Sequence, residues 1–173
     1  MLIFTIVFIA VRGAGHFDCI PSDTAIAMET AMLVPSQLRH DIDTKARPRA
    51  IGDFSPVVNK KATPFFWEPS RVRLFLSRSQ QSGGEITCSE LFKELKGMMV
   101  LNAGVLDYLL GNPLFIPESW KGSAIFFWGT IYRGRSPDRY VRCLVHCADG
   151  WSWMWHPLIY AVGPNQPAAV CSQ

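Results

Sequence analysis

Cysteine and histidine residues near the C-terminal end of the chain are the first candidates for chemistry, because thiolates and imidazoles bind metal ions. Cys143, His146 and Cys147 fall on one predicted strand. That spacing separates the two cysteines by about 13 Å, whereas zinc binds sulfur at about 2.3 Å, so one ion cannot take both thiolates. His146 would point to the opposite face of the strand. We therefore predict no metal and no other cofactor, and interpret the cysteines as small apolar core residues.

A thiol–imidazole pair is the second candidate. Cys143 and His156 are direct cross-strand partners in the predicted strand register. A catalytic thiol also needs a lowered pKa, a third group that orients the imidazole, and an oxyanion site. No glycine-rich turn or helix N-terminus is placed in the sequence to supply them. The sequence therefore favours a protein without catalytic residues and leaves a thiol enzyme as an alternative.

Three tryptophans at alternate positions form the third candidate site. Trp151, Trp153 and Trp155 share one face of a strand, because side chains in a strand alternate with period two. Arg142 and His146 of the preceding strand join them on that face. An aromatic and cationic sheet face can stack bases or sugar rings, although ordinary cross-strand packing also favours aromatic residues. We predict a partner or ligand surface here, with nucleic acid as one class of partner.

Turn signals and alternation predict the strands that position these residues. Asp149 and Gly150 stand between the predicted strands Tyr140–Ala148 and Trp151–His156 and favour a type I′ hairpin turn. A further strand, Ser123–Arg133, precedes them. With a two-residue loop the predicted cross-strand partners are Ala148 with Trp151, His146 with Trp153, and Leu144 with Trp155.

Helix signals lie before the hairpin. Thr87 and Glu90 fit a capping box that begins a helix over Cys88–Lys96. Asn102 can cap a second helix over Ala103–Leu110, which Gly111-Asn112-Pro113 would end.

These elements predict a fold class. The alternation in Arg71–Leu76 adds one more strand. We predict an α+β fold in which two short helices pack on one face of a three- to four-stranded antiparallel β-meander. The smaller, mostly apolar hairpin face around Val141 and Cys143 would lie under the helices. The opposite face, which carries the three tryptophans, would then be partly exposed to solvent.

Residues 1–62 differ from the rest of the chain in pattern. Met1–Val11 is almost wholly apolar but shorter than the roughly 20 residues of a membrane-spanning helix. No basic residue precedes it, so we interpret it as a buried strand, with a secretory signal as the alternative. A short helix is predicted over Asp23–Val34, and Ser36–Ala62 is interpreted as a linker of low order. The predicted division is therefore an N-terminal segment, 1–62, and a small α+β domain, 63–173.

Length and composition narrow the class of protein. The chain has 173 residues, of which 49% are hydrophobic and 18% charged, so it can bury a core. A net charge of +3 does not by itself argue for a nucleic-acid partner. The five cysteines are odd in number and fit no disulfide framework, which favours free thiols in a reducing compartment. We predict a cytoplasmic protein without a membrane span, or an exported one if Met1–Val11 is a signal.

Several stretches after residue 62 carry a family resemblance, among them TPFFWEPSRVRLFLS, VLNAGVLDYLLGNP, IPESWKG and FFWGTIYR. Through them the last two thirds of the chain resembles a family of uncharacterised small proteins predicted from metagenome-derived bacterial genomes. The resemblance implies a small α+β domain and carries over no activity or site residues. The chain departs from the family pattern at His146-Cys147, where members carry a tryptophan and acidic residues, and residues 1–62 match no part of it.

The sequence names no substrate. We predict a small, non-catalytic binding or interaction module whose partner, a protein or a ligand, meets the tryptophan face. The alternative is a nucleic-acid-associated protein that uses the same aromatic and arginine surface.

Overall fold

The computed structural model describes residues 40–42, 48, 50–60 and 65–172. The predicted N-terminal strand or signal, Met1–Val11, and the predicted helix over Asp23–Val34 lie outside the described residues. Within the described part of the chain, no helix is long and apolar enough to cross a bilayer.

The described residues form eleven short strands and three α-helices. The strands are β1 (His40–Ile42), β2 (Ser55–Asn59), β3 (Phe65–Trp67), β4 (Val72–Phe75), β5 (Ile86–Thr87), β6 (Ile125–Phe126), β7 (Thr130–Arg133), β8 (Arg139–Cys147), β9 (Gly150–Pro157), β10 (Ala161–Val162) and β11 (Ala168–Cys171). The helices are α1 (Arg78–Gln81), α2 (Cys88–Glu94) and α3 (Ala103–Gly111). Three 3-10 turns cover Pro69–Arg71, Pro113–Phe115 and Glu118–Trp120.

Seven of the strands make one mixed sheet around β8. Its order is β2-β7-β8-β6-β11-β4, and β9 pairs with β8 as well. Because β9 takes the whole of one edge of β8, β6 and β7 share the other edge. Two further pairs, β1 with β3 and β5 with β10, lie outside this sheet.

The predicted fold class is wrong. The protein is mostly β, with a curled, mixed sheet of seven strands, in which β11 runs parallel to β6, in place of an antiparallel meander. The helices also do not share one face: Leu106 of α3 packs in one core with Leu144 of β8, whereas Leu91 of α2 packs in another with Val141. Alternate side chains of β8 therefore pack in cores on opposite faces of the sheet.

Local signals for the two longer helices are confirmed. The Thr87 hydroxyl accepts from the amide of Glu90 at 3.3 Å, and the Glu90 carboxylate accepts from the amide of Thr87 at 3.3 Å, which is the capping box that begins α2. The Asn102 side chain accepts from the amides of Gly104 and Val105 at 3.1 and 3.3 Å and begins α3.

The predicted hairpin forms, but its register is displaced. Cys147 pairs with Gly150, so the loop consists of Ala148 and Asp149, and Gly150, with φ of 111°, begins β9. The positive φ that favours glycine therefore falls just after the loop and not inside it. The observed partners are His146 with Trp151, Leu144 with Trp153, and Arg142 with Trp155. Because each partner moves by two residues, every side chain keeps its predicted face.

The segment Ser36–Ala62, predicted as a linker of low order, contains strands. β2 pairs with β7 and forms one edge of the main sheet, from Ser55 opposite Arg133 to Asn59 opposite Thr130. β1 pairs with β3. The sheet therefore includes residues on the N-terminal side of the predicted boundary at residue 63.

Candidate functional site

The structure brings the five predicted site residues to one face of the β8–β9 hairpin, which we call the tryptophan face. Trp151, Trp153 and Trp155 are each partly buried, His146 is exposed, and Arg142 is only 2% exposed. The face is therefore neither the open platform that a stacked ligand would need nor a fully buried layer.

Arg142 is engaged inside the protein. Its Nη1 donates to Oδ1 of Asp107 on α3 at 2.7 Å. Its guanidinium carbon lies 4.2 Å from the centroid of the Trp153 ring, which is a cation–π contact. A buried guanidinium with a carboxylate partner and an aromatic partner joins the hairpin to α3, and it is not presented to an external phosphate.

The indoles of the tryptophan face have internal partners too. Phe54 stacks on Trp155 with ring centroids 4.4 Å apart, and Trp153 meets Trp155 edge to face at 5.2 Å. His146 meets Trp151 edge to face at 4.9 Å. Much of the surface on which a base or sugar would stack is thus already covered by side chains of the same chain.

The outer edge of β9 is the open feature of the hairpin. Residues opposite each other in an antiparallel pair alternate between hydrogen-bonded and non-hydrogen-bonded pairs. Leu158, next after β9, donates its N–H to the carbonyl of Arg139 at 2.8 Å, so the even-numbered residues of β9 bond to β8. The N–H and C=O groups of Trp151, Trp153 and Trp155 therefore point away from β8, and within residues 40–42, 48, 50–60 and 65–172 β9 pairs with no other strand.

The other two edges of the main sheet carry features that discourage strand pairing. β2 contains Pro56, with a register irregularity between Pro56 and Val58. β4 has four residues, of which Arg73 is charged. β9 has eight residues and no Lys, Arg, Asp or Glu, and its proline is the last residue, Pro157. Charges, prolines and irregularities are the means by which proteins block edge strands, and β9 has none of them over its first seven residues.

Sequence reasoning missed this edge because it considered side-chain faces and not backbone groups. The run from Gly150 to His156 lacks charged residues and proline, and that signal could have been noticed. The run indicates an unprotected edge only once β9 is known to be an edge strand, because an uncharged run is equally typical of a central strand.

A groove beside α2 is a second open feature, on the face of the sheet opposite the tryptophans. Its volume is about 350 Å³. The apolar part of its lining is Val58, Phe92, Trp128, Ile131 and Leu158, and the polar part is Cys88, Ser89, Lys93 and Arg139. Sequence reasoning singled out none of these as site residues, because they come from five separate segments of the chain.

The predicted direct pairing of Cys143 with His156 is wrong. Met154 is the cross-strand partner of Cys143, and Val141 is the partner of His156. The Cys143 thiol donates to the carbonyl of Met154 at 3.6 Å, and burial raises its pKa to about 11. Burial also lowers the pKa of His156, against an opposing backbone hydrogen bond at Tyr160. A protonated thiol apart from a neutral imidazole does not make an activated nucleophile.

Among the described residues, no group of three or more His, Cys, Asp or Glu side chains is arranged to hold a metal ion.

No family model, no curated protein and no solved structure matches the chain. Membership of the family that residues 63–173 resemble therefore stays a prediction.

Proposed function

We propose that the protein is a small, non-catalytic interaction module that pairs β9 with an extended strand of a partner polypeptide. The proposal rests on the outer edge of β9, which pairs with no other described strand and carries no charge or proline in its first seven residues. Strand addition of this kind draws its affinity from main-chain hydrogen bonds and its specificity from the side chains on either face.

A second copy of this chain is the partner that fits the edge best. Antiparallel pairing centred on Trp153 would place Trp151 opposite Trp155 of the second copy and Ser152 opposite Met154, because WSWMW is nearly palindromic. All three pairs of outward-facing residues would then be hydrogen-bonded pairs, with about six backbone hydrogen bonds in total. Indole would meet indole across the junction, a favourable cross-strand combination.

Charge supports the same partner. β9 carries no ionised side chain at neutral pH apart from any charge on His156, whose pKa burial lowers, so two copies of the strand meet without like-charge repulsion. Met154, with 51% of its surface exposed, is an apolar side chain that such a contact would cover.

The nucleic-acid alternative has less support. Arg142, the cation on which that interpretation depended, is buried against Asp107 and Trp153. Arg133 and Arg139 are exposed on either side of the loop that joins β7 to β8, and solvated loop charges account for them. Retention on nucleic acid that falls steeply with salt would favour this alternative.

We place the module in the cytoplasm, as the free thiols suggest. Among the described cysteines, Cys88, Cys143, Cys147 and Cys171 form no disulfide. Unpaired thiols, one of them exposed, suit a reducing compartment.

The test is the mass of the full-length protein in solution, measured by light scattering over a range of concentrations. The wild-type protein should form a dimer. Met154→Lys should weaken it by at least about tenfold, because two ammonium groups would sit on one face only about 7–8 Å apart across the junction. Val57→Lys is the matched control: Val57 is an exposed apolar residue of β2, 47% accessible, on an edge that Pro56 already protects.

The proposal fails if the wild-type protein is monomeric at every concentration. It also fails if Met154→Lys dimerises as strongly as Val57→Lys. Circular dichroism and thermal unfolding of both variants show whether each keeps the fold, so a loss of dimer is not confused with unfolding.

A further inference from the structure

The α2 groove joins an apolar floor to a cationic rim. Trp128 and Ile131 form its buried floor, and Phe92, which is 40% exposed, stands at its side. Lys93 and Arg139 line it from α2 and β8, and both are exposed. Lys60 does not line the groove but lies beside it, with Nζ 5.3 Å from the centroid of the Phe92 ring.

We propose that this groove binds a small amphipathic anion, with a ring-bearing apolar body and one carboxylate, sulfonate or phosphate group. The groove is separate from the β9 edge, so the proposal does not depend on the strand-pairing function.

Size and lining suit the apolar body. A volume of about 350 Å³ lies at the lower end of the range found for small-molecule sites, which are mostly apolar with a few polar groups. Aromatic rings at Phe92 and Trp128, with centroids 6.4 Å apart, provide flat contact surfaces.

The charges around the groove indicate that the polar group of the ligand is negatively charged. No carboxylate lines the groove. In the described part of the chain, neither Lys93 nor Arg139 forms an ion pair. Glu90, one turn before Lys93 on α2, is committed to the capping box: hydrogen bonds from the Thr87 hydroxyl and amide hold its pKa low, and Lys93 adds to this. An anion between Lys93 and Arg139 would meet two cations that form no ion pair in the described part of the chain, and the acid that interacts with Lys93, Glu90, is already hydrogen-bonded to Thr87.

The remaining polar atoms of the groove fit a binding site and not a reactive one. The Cys88 thiol donates to the carbonyl of Tyr160 at 3.1 Å, and burial raises its pKa to about 11. It therefore stays neutral and neither repels an anion nor attacks a ligand. The indole N–H of Trp128 is buried and has no acceptor among the residues that the structure describes.

Two fluorescent probes test the proposal on the full-length protein: 8-anilinonaphthalene-1-sulfonate, and N-phenyl-1-naphthylamine, which has the same rings without the sulfonate. The wild-type protein should bind the sulfonate about tenfold more tightly than the neutral amine, a ratio that two partly solvated cation contacts can supply. Lys93→Gln/Arg139→Gln should abolish this preference and leave binding of the amine unchanged.

Two further variants separate the groove from nonspecific effects. Phe92→Ala should weaken both probes to a similar extent, because it removes an apolar wall that both rings contact. Lys96→Gln/Arg73→Gln removes the same charge from exposed positions outside the groove and should change neither affinity.

Either of two results would overturn the proposal. One is equal affinity of the wild-type protein for the two probes. The other is a loss of sulfonate binding in Lys96→Gln/Arg73→Gln as large as in Lys93→Gln/Arg139→Gln, which would assign the effect to net charge. Thermal unfolding confirms that each variant is folded before binding is measured.

Discussion

Replacement of Asp107 by Asn tests whether Arg142 is an internal anchor. Asn keeps the size of the side chain and one acceptor oxygen but removes the negative charge. The 2.7 Å contact with Arg142 Nη1 can then persist only as a neutral hydrogen bond. Arg142 is 2% exposed, so its charge would remain buried with a weaker partner.

The size of the effect follows from the unequal exposure of the two side chains. Two unit charges about 4 Å apart attract by about 4 kcal/mol at an effective dielectric of about 20, and by about 1 kcal/mol in water. The Asp107 side chain is 49% exposed, so the environment lies between these limits. We expect Asp107→Asn to lower the free energy of unfolding by about 1–3 kcal/mol.

A double-mutant cycle isolates the interaction. Urea unfolding at pH 7 is measured for the wild-type protein, Asp107→Asn, Arg142→Met and the double variant. In the Arg142→Met background, Asp107→Asn should lower the free energy of unfolding only slightly, because the guanidinium that the Asp107 carboxylate pairs with is absent. Asp53→Asn is the control: its partner Arg135 lies 2.9 Å away but is 84% exposed, and the expected cost is below about 1 kcal/mol.

A coupling energy below about 0.5 kcal/mol between Asp107 and Arg142 would refute the reasoning, since exposed pairs reach that value without any burial. It would mean that burial and the Trp153 ring hold Arg142 in place without a substantial contribution from Asp107.

Two other predictions concern packing and pH. Gly129→Ala should destabilise the fold by about 1–3 kcal/mol in urea unfolding. A Cβ at this position would lie 2.8 Å from Cα of Asn102 and 2.8 Å from the carbonyl oxygen of Leu101. Gly111→Ala is the control and should be neutral or slightly stabilising, because no atom lies within 4 Å of the added Cβ. Equal effects at the two glycines would contradict this. His156 has a pKa below its ordinary value of 6.5 because it is partly buried. As the pH falls, His156 is therefore protonated at a higher pH in the unfolded chain than in the folded protein. Stability should fall as the pH drops below 6.5, by at most about 1.4 kcal/mol per pH unit from this group, and His156→Phe should flatten the profile; an unchanged slope would count against the assignment.

Local signals in the sequence predicted the elements that depend on neighbouring residues. The capping box at Thr87 and Glu90 and the cap at Asn102 were found because each side chain bonds to an amide within three residues. The hairpin was found for the same reason, since its two strands are joined by a short turn. Its register was displaced because Gly150 takes its positive φ outside the loop.

The candidate sites were predicted less well, because each combines segments that are far apart in sequence. The faces of the β8–β9 hairpin followed from alternation, but the engagement of Arg142 depends on Asp107, which is 35 residues away. The α2 groove draws on Val58, Phe92, Trp128 and Leu158. No spacing rule relates such positions, so their meeting could not be inferred from one sequence.

The sequence by itself determined several local elements: the two strands of the β8–β9 hairpin, where α2 and α3 begin, and that three tryptophans share a face. Caps, turns and alternation are short-range effects, and their energies are decided by a few neighbouring residues. The tertiary structure decided the rest: a mixed sheet in which β11 lies parallel to β6, helices on both of its faces, and β9 at a free edge. Long-range pairing depends on which surfaces meet when the cores close, and the backbone edge of β9 is open only because no other described strand completes it.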